Sequence, residues 1–377
     1  MTKKGEKSFE VNPYDVKGKV DYDKLVKEFG VKKLTPEILK EIGKIAGELH
    51  PYLKRGIFFA YRDLKEVLEE YKKGNKFFLY TGRAPSGPIH LGHISVWLFM
   101  KWLQEKFGVE VWFQFPDEEK FLFKQNATWE EIQKWLHENM LDVIALGFDP
   151  KKTHFLIDTR HAGIMYPEAI KVAKKITFST IKASFGFTDS SNIGSIFYTS
   201  MQTVPIFLPN ILRKENRPCL IPLGIDQDVH FRISRDVVEK LGHRKPAIIH
   251  AKFMPSLTGT DGKMSSSNPD SAILLTDSPE EVKRKINKYA FSGGRDTAEE
   301  HRKYGGNVEI DVACQWLKYF EFDDKKLEKI YDDYSKGKLL SGEVKKILID
   351  KINLFLAEHQ KRRKSAEKLI EKFVYKG

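Results

Sequence analysis

The sequence predicts an α/β protein in which a parallel-sheet domain is followed by an all-α domain. Short apolar segments alternate with amphipathic helical segments from about residue 76 onward, a pattern typical of an open parallel sheet. From about residue 281 the strand-like segments stop and only helical periodicity continues. We therefore expect three parts: a mainly helical N-terminal extension at 1–75, an α/β domain at 76–280 and a helical domain at 281–377.

The N-terminal extension is expected to contain two helices. In "LTPEILKEIGKIAGEL", Thr35 is placed as an N-cap before Pro36 at the first helical position. The next segment, "YRDLKEVLEEYKKGN", has helical spacing and ends in Gly74 and Asn75, which favour the end of a helix.

The α/β domain opens with a strand, a loop, a helix and a second strand. "KFFLYTG" is short and aromatic, "HISVWLFMKWLQEKFG" has apolar residues at helical spacing, and "VEVWFQFPD" is a second strand. Thr128 and Glu131 then form a capping-box pattern ahead of a long helix. Two more strands, "THFLID" and "CLIPLGID", and the helix "DVHFRISRDVVEKLG" complete the alternation.

The C-terminal part is expected to be helical throughout. Capping-box patterns start two of its helices, Ser278 with Glu281 and Thr297 with Glu300. "SGEVKKILIDKINLFLAEHQKRRKSAEKLIEKFV" predicts one or two long amphipathic helices.

Composition limits the class of protein. The 64 basic and 52 acidic residues give a net charge of +12, which suits a polyanion such as nucleic acid, although heat-adapted proteins are often basic without binding any. The cysteines, Cys219 and Cys314, are too few and too far apart for a disulfide framework or a cysteine metal cluster. No apolar run approaches the ~20 residues of a membrane helix, and the first residues lack the apolar core of a signal peptide. We expect a cytoplasmic protein without a membrane partner.

The first chemically marked segment is "TGRAPSGPIHLGH", residues 81–93, which follows a predicted strand and enters a helix. Ligands of open α/β sheets bind at such strand ends, and a helix start offers free N–H groups to an anion. His90 and His93, three residues apart, are expected on one face of that helix, where their imidazoles can donate to phosphate. The segment therefore favours a nucleotide site; ordinary capping histidines and a metal pair remain alternatives, the latter without a third ligand nearby.

The second marked segment is "LTGTDGKMSSSNPD", residues 257–270. A lysine on a glycine- and serine-rich loop suits the binding of phosphates, with a polar surface loop as the alternative. It is not a P-loop, because only two residues separate Gly259 from Gly262 and Met264 follows the lysine.

Together the two segments resemble the HIGH and KMSKS motifs of class I aminoacyl-tRNA synthetases. "HLGH" has Leu91 in place of Ile, and "KMSSS" has Ser266 in place of the second Lys. "DEEKFLF", "GIDQDVHFRISRDV", "FSGGRDTAEEHRKYGGN" and "LAEHQKRR" further resemble the archaeal and eukaryotic type of tryptophanyl-tRNA synthetase. The resemblance runs from about Val20 to the C-terminal helix and implies a Rossmann-like catalytic domain at 76–280 and an anticodon-binding domain at 281–377.

Tyrosyl-tRNA synthetases are the nearest alternative family, because they share the fold. Their Tyr-x-x-x-Gln-x-x-Asp pattern is similar to "YTSMQTVP" here, with Tyr198 and Gln202 present but Pro205 in place of the Asp that binds the phenol hydroxyl. A proline side chain cannot bind a phenol, so this position disfavours tyrosine. A small-molecule nucleotidyltransferase and an inactive RNA-binding paralogue are further alternatives; the paralogue should have lost His93, Lys263 or Glu119.

The resemblance to the synthetases implies roles for individual residues. The catalytic set would be His90, His93, Lys263, Arg83 and Lys120, within a HIGH-like region from Pro85 to His93 and a KMSKS-like region from Lys263 to Ser267. ATP would contact Gly82, Pro85, Ser86, Gly87, Gly92, Asp226, Met264, Ser265, Ser266 and Ser267. Tryptophan would contact Tyr80, Gln114, Glu119, Gln202 and Gln227.

The resemblance also implies partners. Arg295 and Asp296 of "FSGGRDT" would read the tRNA(Trp) anticodon, and "KRRK" at 361–364 would contact the RNA backbone. Mg²⁺ would arrive with ATP, carried by the nucleotide, and no structural metal is expected. Members of this family are homodimers, so we expect a homodimer.

Overall fold

The computed structural model describes residues 10–11, 16–17, 20–264 and 269–377, with the backbone alone for residues 10–11, 16–17, 261–263 and 269. Strands and helices alternate in it from β3 to β9, and helices alone follow residue 278. The predicted α/β class with a helical C-terminal part is confirmed.

The strands are β1 Glu10–Val11, β2 Val16–Lys17, β3 Lys32–Lys33, β4 Phe58–Arg62, β5 Phe78–Gly82, β6 Glu110–Phe115, β7 Thr153–Ile157, β8 Cys219–Gly224, β9 Ala247–Ala251, β10 Pro255–Ser256 and β11 Gly259–Lys263. The helices up to residue 240 are α1 Tyr22–Phe29, α2 Pro36–Ala46, α3 Pro51–Lys54, α4 Leu64–Lys72, α5 Leu91–Phe107, α6 Asp117–Phe123, α7 Trp129–Ala145, α8 Ala162–Ala173, α9 Phe178–Phe185, α10 Ile193–Met201, α11 Leu208–Arg213 and α12 Asp228–Lys240. The later helices are α13 Pro279–Tyr289, α14 Ala298–Tyr304, α15 Val312–Phe320, α16 Asp324–Ser335, α17 Ser341–Ala366 and α18 Ile370–Phe373.

The central sheet has the order β3-β4-β9-β8-β5-β6-β7. From β9 to β7 its neighbouring strands are parallel, whereas β4 pairs antiparallel with β9 and β3 antiparallel with β4. The chain order reverses between β5 and β8, which is the switch point where ligands of such sheets bind.

Helices cover both faces of the sheet. Along β5, Leu79 packs into the core shared with α5 and α7, while Phe78 and Tyr80 pack into the opposite core with α8 and α12. This alternation follows from the two-residue period of a strand, and it places Tyr80 on the α8 and α12 side.

The N-terminal extension differs from the expectation: besides α2 and α4 it contains α1 and α3, and its strands β3 and β4 join the central sheet. Tyr61 and Arg62 were predicted to begin a helix, but they lie in β4, which pairs with β9, and α4 begins only at Leu64. The apolar run "IFFAY" had the composition of a strand, and pairing with a buried neighbour outweighs the helical spacing that follows it. The helix starting at Pro36 with Thr35 as N-cap is confirmed.

The C-terminal helices begin where the capping patterns predict. Ser278 Oγ accepts from the Glu281 backbone N–H at 3.2 Å, and Thr297 Oγ1 accepts from Glu300 N–H at 3.1 Å. The long amphipathic pattern forms α17, a single helix of 26 residues, followed by a short 3-10 turn and α18. Leu348 and Ile352 of α17 belong to the same core as Ile38 and Ile42 of α2.

Candidate active site

A cavity of about 680 Å³ lies at the carboxyl ends of β5 and β8, at the switch point of the sheet. Thirteen of the residues predicted from the sequence line it. They are Tyr80, Gly82, Arg83, His90, Gly92, His93, Gln114, Glu119, Lys120, Gln202, Asp226, Gln227 and Met264. Residues from four strand ends and three helices thus meet in one space, although they are spread over about half of the chain.

Other predicted residues lie elsewhere. Pro85, Ser86 and Gly87 are in the loop between β5 and α5 and do not line the cavity. Ser265, Ser266 and Ser267 lie outside the described residues, and Lys263 is described by its backbone at the end of β11. Arg295 and Asp296 are exposed residues after α13, in the helical part of the chain.

The two histidines of the first loop are fixed against each other at the start of α5. His90 is the N-cap residue rather than part of the helix, and its ring stacks on that of His93 with 3.7 Å between centroids. Nε2 of His93 lies 3.1 Å from Nη1 of Arg83, so the guanidinium donates to this imidazole. The expected shared helical face is therefore replaced by a stacked pair that straddles the helix start.

Gly92 allows the second loop to approach this helix start. A Cβ at this position would lie 3.1 Å from the His90 ring and 3.3 Å from Cβ of Met264, which is tighter than ordinary packing. Met264 is buried, and it directly follows Lys263 in the chain. The end of β11 thus packs against the start of α5, because residue 92 has no side chain.

Positive charge is concentrated near the start of α5. Burial lowers the pKa of Arg83 to about 10, which still leaves the guanidinium charged at neutral pH. Lys120 forms an ion pair with Glu119 at the cavity wall. The positive end of the α5 helix dipole adds to this charge, so this half of the cavity suits a polyphosphate.

The other half of the cavity combines a buried hydrogen-bond pair with a carboxylate. Tyr80 Oη donates to Gln114 Oε1 at 2.6 Å, and Tyr198 Oη donates to Glu119 Oε2 at 2.9 Å. Burial, together with the nearby charge of Asp158, raises the pKa of Tyr80, so this phenol stays protonated.

The sequence reasoning missed several residues that line or support the cavity. Tyr198 lies one helical turn before Gln202, and that spacing could have placed it on the same face. His230 lines the cavity and its ring stacks on Phe185 at 5.0 Å, while burial lowers its pKa. Asp158 accepts from Gln114 behind the cavity wall, and no local pattern links two residues so far apart in sequence.

The HIGH-like loop is also paired with the segment that follows the second loop. Leu91 N–H donates to Ile273 O, and Leu275 N–H donates to Ile89 O, each at 3.0 Å. These two bonds form an isolated antiparallel bridge around His90 and Leu274. The start of α5 is therefore held in place by residues 273–275, which follow β11 in the chain.

Within the part of the chain that the structure describes, no cluster of three or more His, Cys, Asp or Glu could hold a metal ion. Nor does any helix within those ranges have the length and apolar character needed to cross a membrane.

The fold is that of a class I aminoacyl-tRNA synthetase. Residues 72–357 match the family described as tRNA synthetases class I (W and Y). The chain is 52% identical to the tryptophan–tRNA ligase of Saccharolobus solfataricus over 98% of this chain and 96% of that protein. It is 51% identical to that of Pyrococcus abyssi, over 98% of this chain and 94% of that protein. The chain belongs to the tryptophanyl-tRNA synthetase family.

Solved structures give the same relationship. The tryptophanyl-tRNA synthetase of Plasmodium falciparum superimposes with a TM-score of 0.89 at 44% identity, covering 94% of this chain and 98% of that one. That of Aeropyrum pernix superimposes with a TM-score of 0.86 at 32% identity, covering 94% and 96%.

Proposed function

We propose that the protein activates L-tryptophan with ATP, forming tryptophanyl-adenylate and pyrophosphate, and then transfers tryptophan to the 3′-terminal adenosine of tRNA(Trp). The observation that carries the proposal is the meeting of both marked loops, through His90 and Met264, at one cavity that also holds a buried acceptor pair. The relatives that match nearly the whole chain at about half identity are named tryptophan–tRNA ligases, which supports this substrate.

Tryptophan fits the half of the cavity with the buried acceptors. An indole presents one N–H donor, and the Tyr80 and Gln114 oxygens are acceptors for it. Glu119, with Gln202 and Gln227, supplies oxygens for the ammonium group. A site built around a buried hydrogen bond rejects analogues lacking the donor by about 10⁴–10⁵ in favourable cases, so phenylalanine would be excluded without an editing domain.

ATP fits the basic half. The tryptophan carboxylate is already an anion and attacks the α-phosphate directly, so the first step needs positioning and charge stabilisation more than acid–base chemistry. His90, His93 and Arg83 would hold the phosphates at the start of α5, and Lys263 would close over the leaving pyrophosphate. Asp226 would contact the ribose. Mg²⁺ would enter bound to the phosphates as part of the substrate.

The C-terminal helices would bind the anticodon. Arg295 and Asp296 are exposed, with Phe291 and Tyr304 exposed on the same part of the chain. Arg295 Nε donates to Gly305 O at 3.1 Å, which leaves its terminal nitrogens for a base edge. Single-stranded anticodon bases are read by such stacking and edge contacts.

The protein would act as a cytoplasmic homodimer. Seven large apolar side chains are exposed on the helices from α6 to α10 and their connection; we call this set the apolar face. It consists of Phe121, Phe123, Trp129, Tyr166, Ile170, Phe178 and Ile193. Their helices pack against one another, α10 against α6, α8 and α9, and a second copy of the chain is the proposed occupant of this surface.

Tyrosine activation is the second candidate function, because the matching family covers both amino acids. Pro205, at the position where the tyrosine enzymes have an Asp, is buried in the short 3-10 helix Val204–Ile206. Its side chain offers no hydrogen-bonding atom to a phenol.

Amino-acid-dependent exchange of pyrophosphate into ATP tests the proposal, comparing tryptophan, tyrosine and phenylalanine on the purified chain. We expect exchange with tryptophan and none above background with the others, followed by charging of tRNA(Trp). Exchange with tyrosine would reassign the pocket, and exchange with none of the three would favour an inactive paralogue or a nucleotidyltransferase.

A further inference from the structure

The wall behind the acceptor pair contains three carboxyl groups, of which Asp117 and Asp158 are buried and Glu118 is half-buried. Asp158 follows β7, and Asp117 and Glu118 begin α6. Asp158 has 1% of its surface exposed, as does Gln114, so neither exchanges its partners with solvent. The proposed function gives these carboxyls no role.

A directed hydrogen-bond chain leads from the cavity to Asp158. Tyr80 Oη donates to Gln114 Oε1 at 2.6 Å, and Gln114 Nε2 donates to Asp158 Oδ2 at 2.7 Å. A carboxylate oxygen only accepts, so the Nε2 side of the Gln114 amide must face Asp158. Its Oε1 side must then face Tyr80.

This direction sets the polarity of the recognition pair. Tyr80 uses its single hydroxyl hydrogen on Gln114, and the amide nitrogen of Gln114 faces Asp158. The Tyr80 oxygen and Gln114 Oε1 therefore present lone pairs to the cavity. A pair that offers only acceptors is selective for a ligand that presents a donor.

Glu118 keeps the remaining proton away from Gln114. Asp158 Oδ1 and Glu118 Oε2 are both buried, and within the described chain no nitrogen or hydroxyl donates to either. The two side chains are hydrogen-bonded to each other. Burial raises the pKa of both, and the charge of Glu118 raises the pKa of Asp158 further. Two adjacent buried carboxyls cannot both ionise, so one proton is shared between them. A proton on Oδ2 instead would make Asp158 a donor to Gln114 and reverse the amide.

We propose that Asp158 is a positioning residue for amino-acid recognition: it fixes the amide of Gln114 so that Tyr80 and Gln114 present acceptors to the indole N–H, while Glu118 shares the proton on the opposite oxygen. The proposal rests on the proposed function, in which Tyr80 and Gln114 contact the indole.

The test compares tryptophan with its benzothiophene analogue, in which sulfur replaces the indole N–H. Both have nearly the same shape, so the ratio of their kcat/KM values in pyrophosphate exchange reports the hydrogen bond alone. Asp158→Leu removes the acceptor and lets the Gln114 amide turn. We expect the preference for tryptophan to fall about 10- to 100-fold, with kcat/KM for the analogue nearly unchanged. An unchanged ratio in Asp158→Leu would overturn the proposal.

Two control variants separate orientation from folding. In Asp158→Asn, the amide oxygen can accept from Gln114 while its nitrogen donates to an ionised Glu118, so the preference should stay within about 5-fold of the wild type. Asp117→Asn alters a matched buried carboxyl, which accepts from Thr159 and Gln133 and not from Gln114. It should lower stability without changing the preference; a drop equal to that of Asp158→Leu would contradict a specific role.

The remaining outcomes are also decisive. If Asp158→Leu does not fold, Asp158→Ser carries the same test, because its shorter hydroxyl withdraws the acceptor while the site stays polar. A wild-type protein that exchanges no pyrophosphate with tryptophan would refute the proposed function. If the wild type prefers tryptophan and all Asp158 variants keep that preference, only the role of Asp158 is refuted.

Discussion

Single residues set the pH dependence of this protein through the buried carboxyl pair. Glu118 has a pKa raised to about 7 from an ordinary value of 4.5, mainly by burial and further by the charges of Asp117 and Glu119. Between those two values the folded protein holds a proton that the unfolded chain releases. Its contribution to stability is therefore complete below pH 4.5 and is lost as the pH rises through 7.

We predict that Glu118→Gln flattens this dependence. The wild-type free energy of unfolding should fall between pH 5 and pH 7 by at most about 1.4 kcal/mol per pH unit for this proton, and the variant should lose that slope. Denaturant unfolding at several pH values measures it. Glu130→Gln, at an exposed carboxyl in the first turn of α7, should keep the wild-type slope. Equal slopes in the wild type and Glu118→Gln would refute the prediction.

The cavity residues that could be predicted from the sequence are those that belong to a local motif. His90, His93, Gly92 and Met264 belong to marked loops, and their positions after strands were enough to bring them to one cavity. Asp158 and Glu118 belong to no motif, because their role arises from contacts made across the sheet by residues far apart in the chain. The stacking of the two imidazoles likewise depends on His90 being an N-cap rather than a helical residue.

Among the elements, the segment at 272–277 connects the C-terminal helices with the HIGH-like loop. Lys285 of α13 donates to Asp277 Oδ2 at 2.7 Å and to Ala272 O at 3.2 Å, and both charged side chains are buried. Gln360 of α17 donates to the backbone oxygens of Leu275 and Asp277 at 3.0 Å. Leu275 in turn pairs with Ile89 beside His90.

We predict that Lys285→Met lowers both stability and activity. Removing one partner of a buried ion pair leaves Asp277 uncompensated and should cost about 3 kcal/mol of unfolding free energy. The loosened segment should also raise KM for ATP in pyrophosphate exchange. Lys283→Met changes an exposed lysine on the same helix and should leave both quantities near the wild type. A stable Lys285→Met variant with normal KM would contradict this account of the segment.

The helices were predictable where capping chemistry is local, as at Ser278 and Thr297. Strand β4 was not, because "IFFAYRDLKEVL" carries the end of a strand and the start of a helix with no breaker between them. Only pairing with β9, which comes late in the chain, decides that Tyr61 and Arg62 are extended.

The whole molecule exposes the apolar face, and a homodimer would cover it. Ile193 at the start of α10 has 84% of its surface exposed. We predict that Ile193→Asp weakens dimerisation about 100-fold, because a carboxylate would lose its hydration on burial. Light scattering or sedimentation equilibrium over a concentration series measures it.

The control for the dimer is Leu354→Asp. Leu354 on α17 is also well exposed but lies outside the apolar face, so this variant should keep the wild-type mass of two chains. A wild-type mass of a single chain at every concentration would refute the dimer. Loss of the dimer in both variants would place the interface elsewhere.

The bridge between His90 and Leu274 has a consequence during protein synthesis. The N-terminal half, with both histidines, leaves the ribosome well before the strand partner that holds its loop has been made. A nascent or prematurely terminated chain that ends before residue 273 cannot close the start of α5. Consumption of ATP therefore begins only after synthesis has passed residue 275, and shorter chains do not release adenylate.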